Sequence, residues 1–316
     1  MITKESWGRT SAGKEALLYT LTNASGMKVQ VTSFGARLVS VWTPDRSGQL
    51  GNVIEGPATL AEFEANGGYR GATIGRYCNR IGGGSFELEG QHYELTRNEG
   101  SNTLHGGSGV QDVVWESAED GDQVVMTHLS PDGTDGFPGN MTIVARFQLT
   151  DDNRLVLTLQ AAADKVTVCS LTNHAFWNLG GKVLDCELQI GAESYLEVDE
   201  GLIPTAITPV EGTRFDFRSR RAIGELYDHH FIFNGSKPQA KVWDPATGRT
   251  MEVITDLPGT QLYTCPAPEA AQPAASAFCL EPQFNPDSPH HADWPSTTLR
   301  PGEVWDHSIT LAFGVE

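Results

Sequence analysis

Apolar and polar side chains alternate with a period of two along most of this chain, which is the pattern of strands with one buried face. Leu17, Tyr19 and Leu21 lead to a turn at Ser25-Gly26, after which Met27, Val29 and Val31 alternate with Lys28, Gln30 and Thr32. An antiparallel hairpin is predicted there. Phe86 and Leu88, the two-residue turn Glu89-Gly90, then Gln91, Tyr93 and Leu95 predict a second. Leu155, Leu157 and Leu159 form a further alternating strand, as do Met251, Val253 and Thr255. Helical patterning is sparse: Pro57 to Ala65 places Leu60 and Phe63 on one short helical face, and Asn66-Gly67-Gly68 ends it. Pro266 to Ala277, rich in Ala and Pro, reads as an exposed loop.

Glycine (34) and proline (17) interrupt the pattern at the spacing of short strands in a sandwich or barrel. No long linker, repeat or low-complexity tract divides the 316 residues, so residues 1–316 are expected to form one all-β domain. Hydrophobic residues at 39% and charged residues at 20% are ordinary for a globular chain.

The formal charge of −18, from 22 basic and 40 acidic residues, argues against nucleic acid, whose binding needs dense Lys and Arg. A neutral or cationic small molecule suits this field better. Cys78, Cys169, Cys186, Cys265 and Cys279 are odd in number and scattered, without a Cys-x-x-Cys pair, so reduced and mostly packed thiols are expected. The N-terminal residues Met1 to Trp7 carry no basic segment followed by an apolar run, and no stretch is long and apolar enough to span a bilayer. The cytoplasm and no membrane association are the expectation.

Nucleotide loops, the Gly-x-Ser-x-Gly elbow and the His-Glu-x-x-His helix are all absent. What remains is a series of polar clusters framed by Gly and aromatic residues: Gly75-Arg76-Tyr77-Cys78-Asn79-Arg80-Ile81, Asn102-Thr103-Leu104-His105-Gly106-Gly107, the run from Thr172 through His174 to Leu179, Leu226-Tyr227-Asp228-His229-His230-Phe231, and Cys279-Leu280-Glu281-Pro282-Gln283. Polar groups among rings suit a sugar, whose C–H faces meet aromatic surfaces while amides, carboxylates and Arg read its hydroxyls. Taken singly, each residue has a plainer reading. His174 beside aromatics could be a hydrogen-bonded structural histidine, and Glu281 an ion-paired one. Asp228 could cap a turn, and His229 with His230 could form a surface pair whose members face opposite ways on a strand. His290 and His291 read as exposed loop residues, and Arg76 and Arg97 as supporting or solvated charges.

In order along the chain, these clusters resemble the galactose mutarotase (aldose 1-epimerase) family. The resemblance runs from about Leu17 to Gly314 and includes the framing segments Ser33-Phe34-Gly35-Ala36, Asp132 to Gly139, Gly212 to Arg218 and Leu299-Arg300-Pro301-Gly302-Glu303. It implies an all-β fold, a large antiparallel β-sandwich of the galactose mutarotase type with an open cleft, and an enzyme that interconverts the α and β anomers of free hexoses such as galactose and glucose. By position it implies His174 as catalytic acid and Glu281 as catalytic base, with Asn79, Arg80, His105, Phe176, Asp228 and Gln261 binding the sugar. No metal or cofactor is implied, the partner is a small-molecule aldose with no nucleic acid and no membrane, and the chain is expected as a monomer or homodimer. Three departures stand out: Pro282 where a small hydroxyl residue is usual, Ala175-Phe176-Trp177 in place of Ser-Tyr-Phe, and His290-His291 in place of Asn.

Anomer exchange needs one group to take the C1 hydroxyl proton and another to protonate the ring oxygen, a task for a carboxylate and an imidazole. The expectation is an ionised Glu281, held so by Arg80, facing a protonated His174. Two alternatives remain open. A hexose-phosphate 1-epimerase would need extra cations in the cleft to neutralise a dianion. A non-catalytic carbohydrate-binding protein would have no need of an acid and a base.

Overall fold

A computed structural model of the chain describes residues 1–267 and 274–316. Two of the predicted strands, Arg154–Ala163 and Arg249–Thr255, lie in a nine-stranded antiparallel sheet, on either side of the C-terminal strand Trp305–Val315. On one face of this sheet Ile143, Ala145 and Phe147 line up with Leu155, Leu157 and Leu159, every one of them buried. A slip of one residue would turn that row to water, so the alternation itself holds the register.

Two five-stranded sheets share the same apolar core. The first is a meander of Ile2–Arg9, Glu15–Thr22, Lys28–Thr32, Arg37–Pro44 and Leu50–Asn52, and contains the predicted N-terminal hairpin with Thr22 opposite Lys28. The second runs in the order Pro204–Pro209, Ala192–Val198, Asp228–Phe233, Gly259–Pro266, Ala275–Gln283. Tyr19 and Val29 from the first, Phe231, Leu262, Phe278 and Leu280 from the second, and Phe147 and Leu157 from the large sheet belong to one buried cluster. The result is an antiparallel β-sandwich, as expected.

The second predicted hairpin is Ser85–Leu88 with Gln91–Glu94, with Leu88 opposite Gln91. Both turn residues, Glu89 (φ 51) and Gly90 (φ 78), are left-handed, the geometry that matches strand twist across a two-residue loop. The helix is shorter than predicted, Leu60–Asn66, because Thr59 caps it: the Glu62 N–H donates to Thr59 Oγ1 and Glu62 Oε2 accepts from the Thr59 N–H. Pro57 and Ala58 therefore precede it. The predicted loop from Pro266 to Ala277 is a correction: Gly259–Pro266 and Ala275–Gln283 are strands that pair up to Pro266 and Ala275, while residues 268–273 lie outside the described residues. Among the described residues no helix is long and apolar enough to cross a membrane.

Arg76 is not solvated. It is 2% exposed and donates to the Ser130 hydroxyl and to the carbonyls of Ser130, Pro131, Pro138 and Gly139, fastening the 130–139 loop beneath the segment that carries Asn79 and Arg80. Arg76→Met would leave those carbonyls unpaired, and urea denaturation is expected to show a loss of about 3–5 kcal/mol. A loss below about 1 kcal/mol would mean that the loop is held by its other contacts.

Candidate active site

The second five-stranded sheet carries one wall of the cleft. In Ala275–Gln283, alternation sends Phe278 and Leu280 into the core and puts Cys279 and Glu281 on the other face. Gln261 is directly opposite Glu281, and His230 opposite Gln261; Tyr263 is opposite Cys279, and Asp228 opposite Tyr263. Asp228 and Gln261 therefore share Glu281's side of the sheet, where Gln261 Nε2 donates to Asp228 Oδ1 at 2.6 Å. Asp228 opens a strand and does not cap a turn. The surface-pair reading of the next two residues also fails: His230 is 2% exposed on this face, and half-buried His229 packs on Phe215 on the other, so the two cannot chelate together.

His174 comes from a separate part of the chain. Thr172–Asn173 pairs with Thr73–Ile74, and Trp177 exchanges two backbone hydrogen bonds with Phe278, of 2.7 and 2.9 Å. The segment between is held over the strand that bears Glu281, and His174 Nε2 lies 3.6 Å from Glu281 Oε2. The imidazole is nearly parallel to the Phe176 ring (centroids 5.0 Å, 11°) and to that of Tyr69 (6.0 Å, 17°).

Tight loops place the remaining side chains. Asn79 (φ 61) and His105 (φ 53) are both left-handed, and the Asn79 N–H donates to His105 Nδ1 at 3.1 Å. Gly106 follows at φ +74, where a Cβ would lie 2.3 Å from the Gly75 carbonyl oxygen, so only glycine permits this approach. Arg80 forms a bidentate pair with Glu99 at 2.6 and 2.7 Å, with Nη1 3.8 Å from Asp228 Oδ2.

All the site residues expected from the sequence, His174, Glu281, Asn79, Arg80, His105, Phe176, Asp228 and Gln261, line one cleft of about 260 Å³. Tyr69, Glu99, Leu104 and Tyr263 line it too, and were not singled out from the sequence. Glu99 lies in the polar stretch just before the His105 cluster, but nothing local marks it as the partner of Arg80. Of the unusual residues, only Phe176 reaches the cleft. Ala175 and Trp177 face the core; Pro282 borders core residues and accepts a hydrogen bond from Thr172 Oγ1 through its carbonyl. His290 is exposed as expected, but half-buried His291 stacks on Trp294 at 3.8 Å.

Burial sets the protonation. It lowers the His174 pKa to about 3, and it pushes Glu281 well above the usual carboxylate range, with Asp228 adding to the rise and Arg80 only partly opposing it. Arg80, whose guanidinium is committed to Glu99, favours the Glu281 carboxylate as expected, but by less than burial opposes it. Burial thus works against charge on both members of the pair, lowering the imidazole and raising the carboxyl.

His105, His174 and Glu281 offer atoms within 4.8 Å of one another, the spacing of a metal-ligand set. His105 does not fit that role. Its Nδ1 accepts from Asn79, and burial keeps the ring neutral, so the proton sits on Nε2, which is then a donor and not a ligand.

An imidazole and a carboxyl facing each other in a polar, ring-walled cleft on a β-sandwich are the groups that proton-transfer chemistry on a carbohydrate requires. The family model for aldose 1-epimerase matches residues 17–312. Human galactose mutarotase is 34% identical, with 99% of each chain covered. The aldose 1-epimerase of Escherichia coli K12 is 36% identical, with 96% of this chain and 97% of that one covered. A crystal structure of galactose 1-epimerase from Lactobacillus acidophilus superimposes with a TM-score of 0.89 at 29% identity, covering 100% of this chain and 99% of that one. The chain belongs to the aldose 1-epimerase family and is an isomerase of that class.

Proposed function

We propose that this aldose 1-epimerase interconverts the anomers of free hexoses such as galactose and glucose, with His174 and Glu281 as its proton-transfer pair and the whole chain acting as one domain. The contact that carries the reading is His174 Nε2 to Glu281 Oε2 at 3.6 Å, both side chains almost fully buried. Glu281 takes the C1 hydroxyl proton while His174 gives one to the ring oxygen; the C1–O5 bond breaks and leaves an aldehyde at C1. Rotation about C1–C2 and the reverse transfers close the ring as the other anomer. A neutral His174 with a protonated Glu281 holds the same number of protons as an imidazolium with a carboxylate. Sugar hydroxyls donating to Glu281 favour the carboxylate and move the proton onto His174. Asn79, Arg80, His105, Phe176, Asp228 and Gln261 bind the sugar in this reading. His105 donates from Nε2, Phe176 offers an apolar ring, and the carboxylates and amides read hydroxyls. Proton transfers worth about 10²–10⁴-fold each suffice without a cofactor.

The charge in the cleft favours a neutral sugar over a hexose phosphate. Glu99, Asp228 and Glu281 line it with one cation, Arg80, which is already paired. Polarimetry on freshly dissolved α-galactose, α-glucose and α-glucose 6-phosphate tests this: acceleration over buffer is expected for the free sugars, and at least about tenfold less for the phosphate. Preference for the phosphate would replace the reading with a phosphosugar epimerase, and binding without acceleration with a sugar-binding protein. A cytoplasmic monomer or homodimer completes the proposal; the unpaired state of all five cysteines supports a reducing compartment.

A further inference from the structure

The Cys279 thiol touches the side of His174 that faces away from the chemistry. Its Sγ is 3.5 Å from His174 Nδ1, and it is fully buried on the same face of the same strand as Glu281. With Nε2 turned to Glu281 and the ring nearly parallel to Phe176 and Tyr69, the imidazole has its two nitrogens on two different partners. An imidazolium that gives up its Nε2 proton must keep the one on Nδ1, because losing both would leave an imidazolate. Something beside Nδ1 has to accept that retained N–H.

We propose that Cys279 is a positioning residue for the anomerisation reaction: its sulfur accepts the Nδ1–H of His174, so that Nε2 is the nitrogen that gains and loses the proton facing Glu281. The inference rests on the proton-transfer role given to His174 above. The kind of acceptor matters. A carboxylate at this position would stabilise the imidazolium and make it a poor acid; a neutral sulfur is a weak acceptor that fixes the tautomer without that stabilisation. The thiol stays neutral because burial and the nearby Glu281 carboxyl raise its pKa. The other groups acting on the ring pull in both directions. His174's own carbonyl favours its protonated form, whereas Arg70 and Arg37 and the burial itself oppose it.

Nitrogen-15 NMR of histidine-labelled wild-type protein at neutral pH tests the tautomer, with the His174 signals assigned by their loss in His174→Asn. A neutral ring protonated on Nδ1 is expected; a neutral ring protonated on Nε2 overturns the proposal. Polarimetry adds the catalytic consequence. Cys279→Ala, which removes the acceptor, is expected to lower kcat about tenfold with KM within about twofold, and Cys279→Ser, whose hydroxyl accepts, to restore kcat to within about threefold of wild type. Equal loss in the Ala and Ser variants, or an unchanged kcat in Cys279→Ala, would reduce the residue to packing. A wild type that does not accelerate mutarotation sinks the functional reading instead, while the tautomer is still decided by the spectrum.

Discussion

Glu281→Gln is expected to lower kcat for galactose mutarotation by at least about 10³-fold and to leave KM within a few-fold. The amide is nearly isosteric, so the wall of the cleft and the opposing Gln261 stay in place, but a carboxamide neither takes nor returns a proton at neutral pH. His174→Asn is expected to cost about 10²–10³-fold for the complementary reason: the ring oxygen loses its donor. The double variant should be little worse than Glu281→Gln alone, because one proton passes through the pair and neither half works without the other. Stopped polarimetry with each variant, alongside sugar binding by calorimetry, separates rate from affinity. Multiplicative losses in the double variant, or a Glu281→Gln rate within about tenfold of wild type, would show that the two residues do not form one proton-transfer unit.

Stability is expected to fall on acidification with a slope that steepens from about 1.4 kcal/mol per pH unit near pH 6.5 to about 3 below roughly pH 5.5. His105 and His230 are 5% and 2% exposed and are held neutral by burial, His105 well below its ordinary value and His230 at about 3. In the unfolded chain both titrate near about 6.5. The unfolded state therefore binds about one more proton than the folded one at pH 6.5 and about two more below roughly pH 5.5, and stability drops as the pH falls. His174, lowered to about 3, adds to the slope, and Glu281, raised by burial, opposes it. Half-buried His229, lowered to about 4, adds to the slope, and Asp228, raised by burial, takes some away. Above about 6.5 the lowered histidines drop out, and groups raised in the fold, Glu281, His92 and His290, turn the slope the other way. Denaturant titrations at pH 7, 6 and 5 read the slope directly, and His230→Asn should about halve it. A profile flat from pH 6.5 to 5 would contradict neutral burial of these rings.

Several elements were legible because they depend on local rules. The period-two runs around Tyr19, Leu157 and Val253 became strands with the faces they implied, since a strand's side chains alternate whatever it packs against. The Glu89-Gly90 turn followed from what two consecutive left-handed residues require. The ordered polar segments, read as a family pattern, named every predicted site residue that now lines the cleft. Other predictions failed where local composition was ambiguous. The Ala- and Pro-rich stretch ending at Ala277 resembled a loop, yet its last residues pair with Gly259–Pro266, a partner no local pattern reveals.

By itself, then, the sequence determined the all-β class, the inward and outward faces of its strands, and the residue types capable of proton transfer. Tertiary structure alone decided that His174 and Glu281 come within 3.6 Å, that Glu99 takes up the charge of Arg80, and that burial raises the carboxyl and lowers the imidazole. The physical reason is range. Alternation and turn chemistry act between neighbours in the chain, whereas burial and ion pairing depend on groups that meet only after distant strands have packed together.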